Sequence, residues 1–166
     1  MTHRPIPLST WLLNGLLLTG LLALGTATAV AEDNGYGKQK VVYHVNYYSP
    51  KEQTAALRNV QNHINAVGAE NLELRVVLHG NGVAMLMYPD SLEGTKMKEA
   101  NATDEMQAKI SGLTDQGVAF KICANTLKGR KVDTADLYDY SEANVVPSGV
   151  AELAHLQMQG YTYIKP

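Results

Sequence analysis

The chain has one cysteine, Cys123, in 166 residues. An internal disulfide is therefore excluded, and with it the class of small exported domains stapled by cysteine pairs. Charge of one sign is scarce too: the formal net charge is −2, with no long basic or acidic run. That balance gives no basis for expecting nucleic acid or an anionic membrane surface as partner. No His, Cys, Asp and Glu residues stand at a recognisable metal-ligand spacing, and no metal is expected. There is no Gly-x-Ser-x-Gly, so the nucleophile elbow of the α/β hydrolases is missing. Lys128-Gly129-Arg130-Lys131 lacks the preceding glycine of a phosphate loop. Gly80-Asn81-Gly82 opens like a dinucleotide fingerprint, but Met85 stands where the third glycine belongs, and no cofactor is expected.

What is present begins with an export pattern. Arg4 supplies a positive start, Trp11 to Leu24 is mostly apolar, and Ala29-Val30-Ala31 is a small-x-small cleavage pattern before Glu32. The apolar stretch is shorter than a membrane span requires. Residues 1–31 are therefore expected to be a cleavable signal peptide, 32–40 a loose polar leader, and 41–166 the domain. No stable membrane anchor is expected after cleavage, and the location implied is periplasmic. Residues 1–31 hold Arg4 and no acidic residue, so the remainder is one unit more negative than the whole.

The remainder alternates strand and helix patterns. Val41–Tyr47 is β-branched and aromatic, and predicts a strand. Ser49-Pro50-Lys51-Glu52 is a helix start, with Leu57, Val60, Ile64 and Val67 at helical spacing and Gly68 as stop. Leu72–Leu78 reads as a second strand ending in His79-Gly80-Asn81-Gly82. Val83–Met87 reads as a helical turn and 88–102 as a long loop. Thr103-Asp104-Glu105 opens a helix carrying Met106, Ile110 and Leu113. Val118–Cys123 reads as a third strand, Asn125–Lys128 as a short helix, and Thr134–Tyr140 as a turn or two. A fourth strand at Asn144–Val146, a helix capped by Ser148, and a fifth strand at Tyr161–Ile164 complete the series. Apolar strands separated by helices predict an α/β fold with a mostly parallel five-stranded sheet, covered on both faces in an α/β/α sandwich.

In such sheets the carboxyl ends of the strands form the working edge. Tyr47, His79 and Cys123 all fall there. Two readings of Cys123 stand. A helix start beyond a strand-end thiol favours the thiolate, with Lys128, Arg130 and Lys131 available to add positive potential. Alternatively the residue is a small buried hydrophobe. His79 has the chemistry of an acid, base or anion partner, and Tyr47 of a pocket wall. His44, mid-strand, and His63, mid-helix, read as structural. Asn101-Ala102-Thr103 matches an N-glycosylation sequon.

Phe120-Lys121-Ile122-Cys123-Ala124-Asn125-Thr126-Leu127 resembles the cysteine segment of the DsrE/DsrF-like family. Leu78-His79-Gly80-Asn81-Gly82-Val83, Val145-Val146-Pro147-Ser148-Gly149-Val150 and Gln159-Gly160-Tyr161-Thr162-Tyr163-Ile164 resemble further segments of it, in the same order. The resemblance spans Val41 to Ile164. It implies a flavodoxin-like three-layer sandwich assembling as a homotrimer or homohexamer. It also implies that Cys123 matches the cysteine that accepts and passes on a persulfide in the sulfur-relay branches. Those branches are cytoplasmic, and the export pattern departs from them. The expected function is a periplasmic sulfur-handling protein, with His79 and Asn125 orienting a sulfur species and Lys128 attracting an anion. Its partners would be small sulfur compounds or a sulfur donor or acceptor protein. The alternative is a non-catalytic binding or assembly module in which Cys123 packs; whether there is enzymatic turnover is left open.

Overall fold

Apolar alternation along the strands sends side chains into two unequal cores. The structure, a computed structural model, describes residues 1–2 and 35–166. The expected signal peptide and its cleavage site lie, Met1 and Thr2 apart, outside the described residues. Contacts divide the chain into Met1–Glu32 and Asp33–Pro166, and the fold is that of the second unit.

Among the described residues five strands, β1 (Gln39–Val45), β2 (Leu72–Leu78), β3 (Ala119–Cys123), β4 (Val145–Val146) and β5 (Thr162–Ile164), pair in the order β4-β3-β2-β1-β5. Every pairing is parallel. The α-helices that connect them are α1 (Pro50–Val67), α2 (Asp104–Thr114), α3 (Ala124–Arg130) and α4 (Gly149–Met158). The expected parallel α/β/α sandwich is therefore the fold. Its winding steps β1 to β4 in one direction, and only the α4 connection returns across the sheet to place β5 beside β1. Right-handed crossovers put helices that step in one direction on one face, and the returning helix on the other.

The larger core lies under α1, α2 and α3. Val41, Tyr43, Val45, Leu74, Val76, Leu78, Phe120 and Ile122 of the sheet meet Leu57, Val60, Ile64, Met106, Ile110, Leu113 and Leu127 of the helices. The opposite face carries a small cluster of Val42, Val77, Leu153, Leu156 and Tyr161 under α4 alone. At about 1.5–3 kcal/mol for burying one large aliphatic side chain, Leu153 and Leu156 supply most of what seats α4.

Helix starts follow their sequence signals. Glu52 N–H donates to Ser49 Oγ at 3.3 Å, Met106 N–H to Thr103 Oγ1 at 3.4 Å, and Ala151 N–H to Ser148 Oγ at 3.4 Å. Several boundaries differ from expectation. β1 begins at Gln39, inside the expected leader, because Gln39 and Lys40 pair with Leu72 and Glu73. It stops at Val45, because Gly82 presses on that end: a Cβ at Gly82 would lie 2.0 Å from the Val45 carbonyl oxygen. The turn expected over Val83–Met87 is a 3₁₀ helix over Gly80–Met85, and α3 starts directly after Cys123. Only Thr134–Asp136 of the expected Thr134–Tyr140 turn is helical, again 3₁₀.

The long loop 88–102 is tied down by buried amides. Asn101 Nδ2 donates to Tyr48 O at 2.7 Å and to Gln53 Oε1 at 2.9 Å, while Gln53 Nε2 donates to Tyr47 O at 2.7 Å. Asn101 is thus enclosed, and the folded domain does not present the sequon for glycosylation. His63 is structural as expected: its ring nitrogens lie 3.1 Å from Tyr43 Oη and 2.8 Å from Gln39 Oε1.

Candidate functional site

The side chains that face α4 at the carboxyl end of the sheet form one row. Strand alternation puts Val42 and His44 of β1, Val77 of β2, and Cys123 of β3 on that face; His79 continues the β2 alternation. Tyr163 of β5 pairs with Val42 and shares its face. Because β3, β2, β1 and β5 are adjacent, the row reads Cys123, His79, His44, then Tyr163 and Lys165.

Gly149, the first residue of α4, joins the thiol to the histidine. A Cβ there would lie 2.7 Å from the His79 Cβ and 3.3 Å from the Cys123 Cβ, so only glycine lets the helix start come this close. Cys123 is 4% exposed. Burial raises its thiol pKa, but the Thr126 hydroxyl and the backbone amides of Gly149, Thr126 and Asn125 oppose it, and the net shift is downward. None of these amides makes a short capping bond to Cys123; they act by favouring the charged sulfur. They come from the starts of two helices, α3 and α4, where amide N–H groups have no partner within the helix. The Thr126 hydroxyl is fixed in turn by Gly80 N–H, which donates to it at 2.8 Å.

His79 is half-buried and its ring stacks on that of His44, with centroids 4.7 Å apart and planes 16° from parallel. His44 is buried, with Nδ1 2.7 Å from Tyr163 Oη. Its Nε2 is buried without a hydrogen-bond partner among the described residues. Burial, then the Lys165 ammonium and His79, lower the His44 pKa to about 4. Burial and Lys165 also lower that of His79. Lys165 lies 5.0 Å from the Tyr47 ring centroid and donates to Asn46 Oδ1.

The residues singled out from sequence are placed unequally. Cys123 and His79 meet at Gly149. Asn125 is exposed and faces the sulfur with its backbone amide. Tyr47 stands beyond β1 under Lys165, its hydroxyl buried without a partner among the described residues. Lys128 is exposed in the last turn of α3, and no cation is among the causes of the Cys123 shift. Sequence reasoning missed His44, Tyr163, Lys165 and Thr126. For Thr126 a signal existed, since a hydroxyl three residues after a strand-end cysteine lies within the first helical turn. Among the described residues no three His, Cys, Asp or Glu side chains are placed to share a metal ion.

The arrangement defines a parallel α/β protein with a buried, thiolate-favouring cysteine at the carboxyl edge of its sheet. Such a group can act as a nucleophile toward sulfur. The chain belongs to the DsrE/DsrF-like family, whose model matches residues 40–166. A sulfur-related role goes with that membership. Among solved structures it is similar to MTH1491 of Methanobacterium thermoautotrophicum, described as a protein of unknown function. That match has 30% identity and a TM-score of 0.62, and covers 78% of this chain and 100% of the other. It also resembles the ychN protein of E. coli at 24% identity and a TM-score of 0.52, covering 78% and 99%, a likeness of fold. No curated protein matches the sequence significantly.

Proposed function

We propose that the protein is a periplasmic sulfur carrier whose Cys123 thiolate accepts sulfane sulfur as a persulfide. The observation that carries this reading is the downward shift of a buried thiol by donors from two helix starts and the Thr126 hydroxyl. With thiosulfate as donor, the Cys123 thiolate attacks the outer sulfur. A new S–S bond forms, the old one breaks, and sulfite leaves with the electron pair, so Cys–S⁻ becomes Cys–S–S⁻ without an external oxidant. His79 borders the thiol across Gly149 and suits orientation of the incoming species. The exposed Val150 and Met158 on α4 support assembly as the homotrimer or homohexamer that family resemblance implies.

Intact mass of the mature protein after thiosulfate or polysulfide treatment tests the reading, with Cys123→Ser alongside. A reductant-labile gain of one sulfur on the wild type alone is expected. The near-complete burial of Cys123 favours the second reading, a binding or assembly module in which the thiol packs. No adduct, with a thiol unreactive until the chain unfolds, would establish that reading instead. Recovery from the periplasmic fraction of a chain beginning at Glu32 tests the location.

A further inference from the structure

We propose that the α4 face next to Cys123 holds a subsite for a small oxyanion, with Lys165 as its cation and His44 as a donor in its wall. The inference rests on the sulfur-carrier reading, which it deepens by naming an anionic sulfur oxyanion as the class of donor. Three features of the row converge on it.

The first is charge. Lys165 is the cation whose field reaches both His44 and His79. Glu52, in the first turn of α1, acts on Lys165 and Tyr47 but is not among the charges acting on the histidines or on Cys123. Among the described residues the row therefore feels a positive field that no carboxylate at the histidines balances. An anion beside them would be attracted by Lys165 and by the amide groups that converge on the sulfur.

The second feature is an unmatched donor. Tyr163 Oη lies 2.7 Å from His44 Nδ1. With the tyrosine hydroxyl donating, the proton of neutral His44 sits on Nε2, a buried atom with no acceptor among the described residues. On the other side of Lys165, the Tyr47 hydroxyl is likewise buried and unpartnered among them. An oxyanion has the acceptors that both groups lack. The third feature is reach: Lys165 sits on a flexible four-carbon stem. It is held by Asn46 and the face of the Tyr47 ring, and it lies at the β5 end of the row that starts at Cys123. Lys128, in the last turn of α3, has no such placement.

The test separates binding from sulfur chemistry by using full-length mature Cys123→Ser protein, which cannot form a persulfide. Sulfate and thiosulfate serve as probes, and the ring-proton resonances of His44 and His79 as readout. Expected is saturable binding that weakens with added chloride, with the titration midpoints of both rings moving upward as the bound anion offsets Lys165. Lys165→Gln should weaken binding about tenfold or more, and Lys165→Arg should retain it. Lys128→Gln should leave it unchanged. Absence of saturable shifts, or undiminished binding in Lys165→Gln, overturns the subsite. Persulfide formation on the wild type then still sustains the sulfur-carrier reading. Conversely, Lys165-dependent binding beside a wild-type thiol inert to sulfane donors sustains the subsite and removes that reading.

Discussion

Thr126→Val isolates the contact that turns a buried thiol into a nucleophile. The threonine hydroxyl donates to the sulfur and accepts from Gly80 N–H at 2.8 Å, so valine removes both links while keeping the β-branched shape. A hydrogen bond to a charged group contributes about 1.5–3 kcal/mol. At about 1.36 kcal/mol per tenfold, its loss lowers the thiolate population about ten- to hundredfold at a pH where the variant thiol is mostly protonated. A thiol's nucleophilicity rises as it becomes a weaker acid, with a Brønsted coefficient of about 0.4–0.5. The rate of reaction with a small disulfide reagent at that pH should therefore fall only about four- to twelvefold. With a single cysteine in the chain, ultraviolet thiolate absorbance reports Cys123 directly, with Cys123→Ser as baseline. The Thr126→Val midpoint should move to higher pH and that of Thr126→Ser should stay near wild type. Coincident titrations of Thr126→Val and wild type would refute the assignment, as would a serine variant shifted as far as the valine one.

The same geometry sets other expectations. Gly149→Ala forces a methyl to 2.7 Å from the His79 Cβ, and overpacking of this kind costs about 1–3 kcal/mol; urea unfolding measures it, and an unchanged midpoint would contradict the close approach. His44 has a folded-state pKa of about 4 against 6.5 for the free side chain, so its neutral form is favoured in the fold. Its contribution is full above pH 6.5 and is lost as the pH falls through about 4, by about 3 kcal/mol. Denaturation at a series of pH values should show that loss, and a slope unaltered in His44→Gln would refute it. Asn101→Ala leaves Gln53 Oε1 and Tyr48 O short of a donor and should cost about 1–3 kcal/mol by the same assay. Leu156→Ala, in the small cluster under α4, should cost about 2–5 kcal/mol and speed amide exchange in α4 before the rest of the domain.

Local chemistry was enough to write most of the elements into the sequence. Ser49-Pro50-Lys51-Glu52 announces α1, Thr103-Asp104-Glu105 announces α2, and the β-branched runs around Val42, Val76 and Ile122 announce strands. Strand ends were legible for the same reason, which is why Cys123 and His79 stood out. The limits of β1 were not, since Gly82 and the parallel partner strand set them from about thirty to forty residues away. Nor was the burial of Asn101, whose sequon gives no hint of the Gln53 amide that encloses it.

The sequence by itself determined an alternating α/β domain with its lone thiol at the carboxyl end of a strand next to a helix start. Those features depend on side-chain periodicity and capping within a few residues. Tertiary structure alone decided what surrounds the thiol. Gly149 reaches Cys123 because α4 returns over the opposite face of the sheet. Tyr163 and Lys165 reach His44, 119 residues from Tyr163, because β5 then pairs with β1. Crossover handedness and parallel register are global consequences of packing, and no local pattern around His44 encodes which residue arrives beside it.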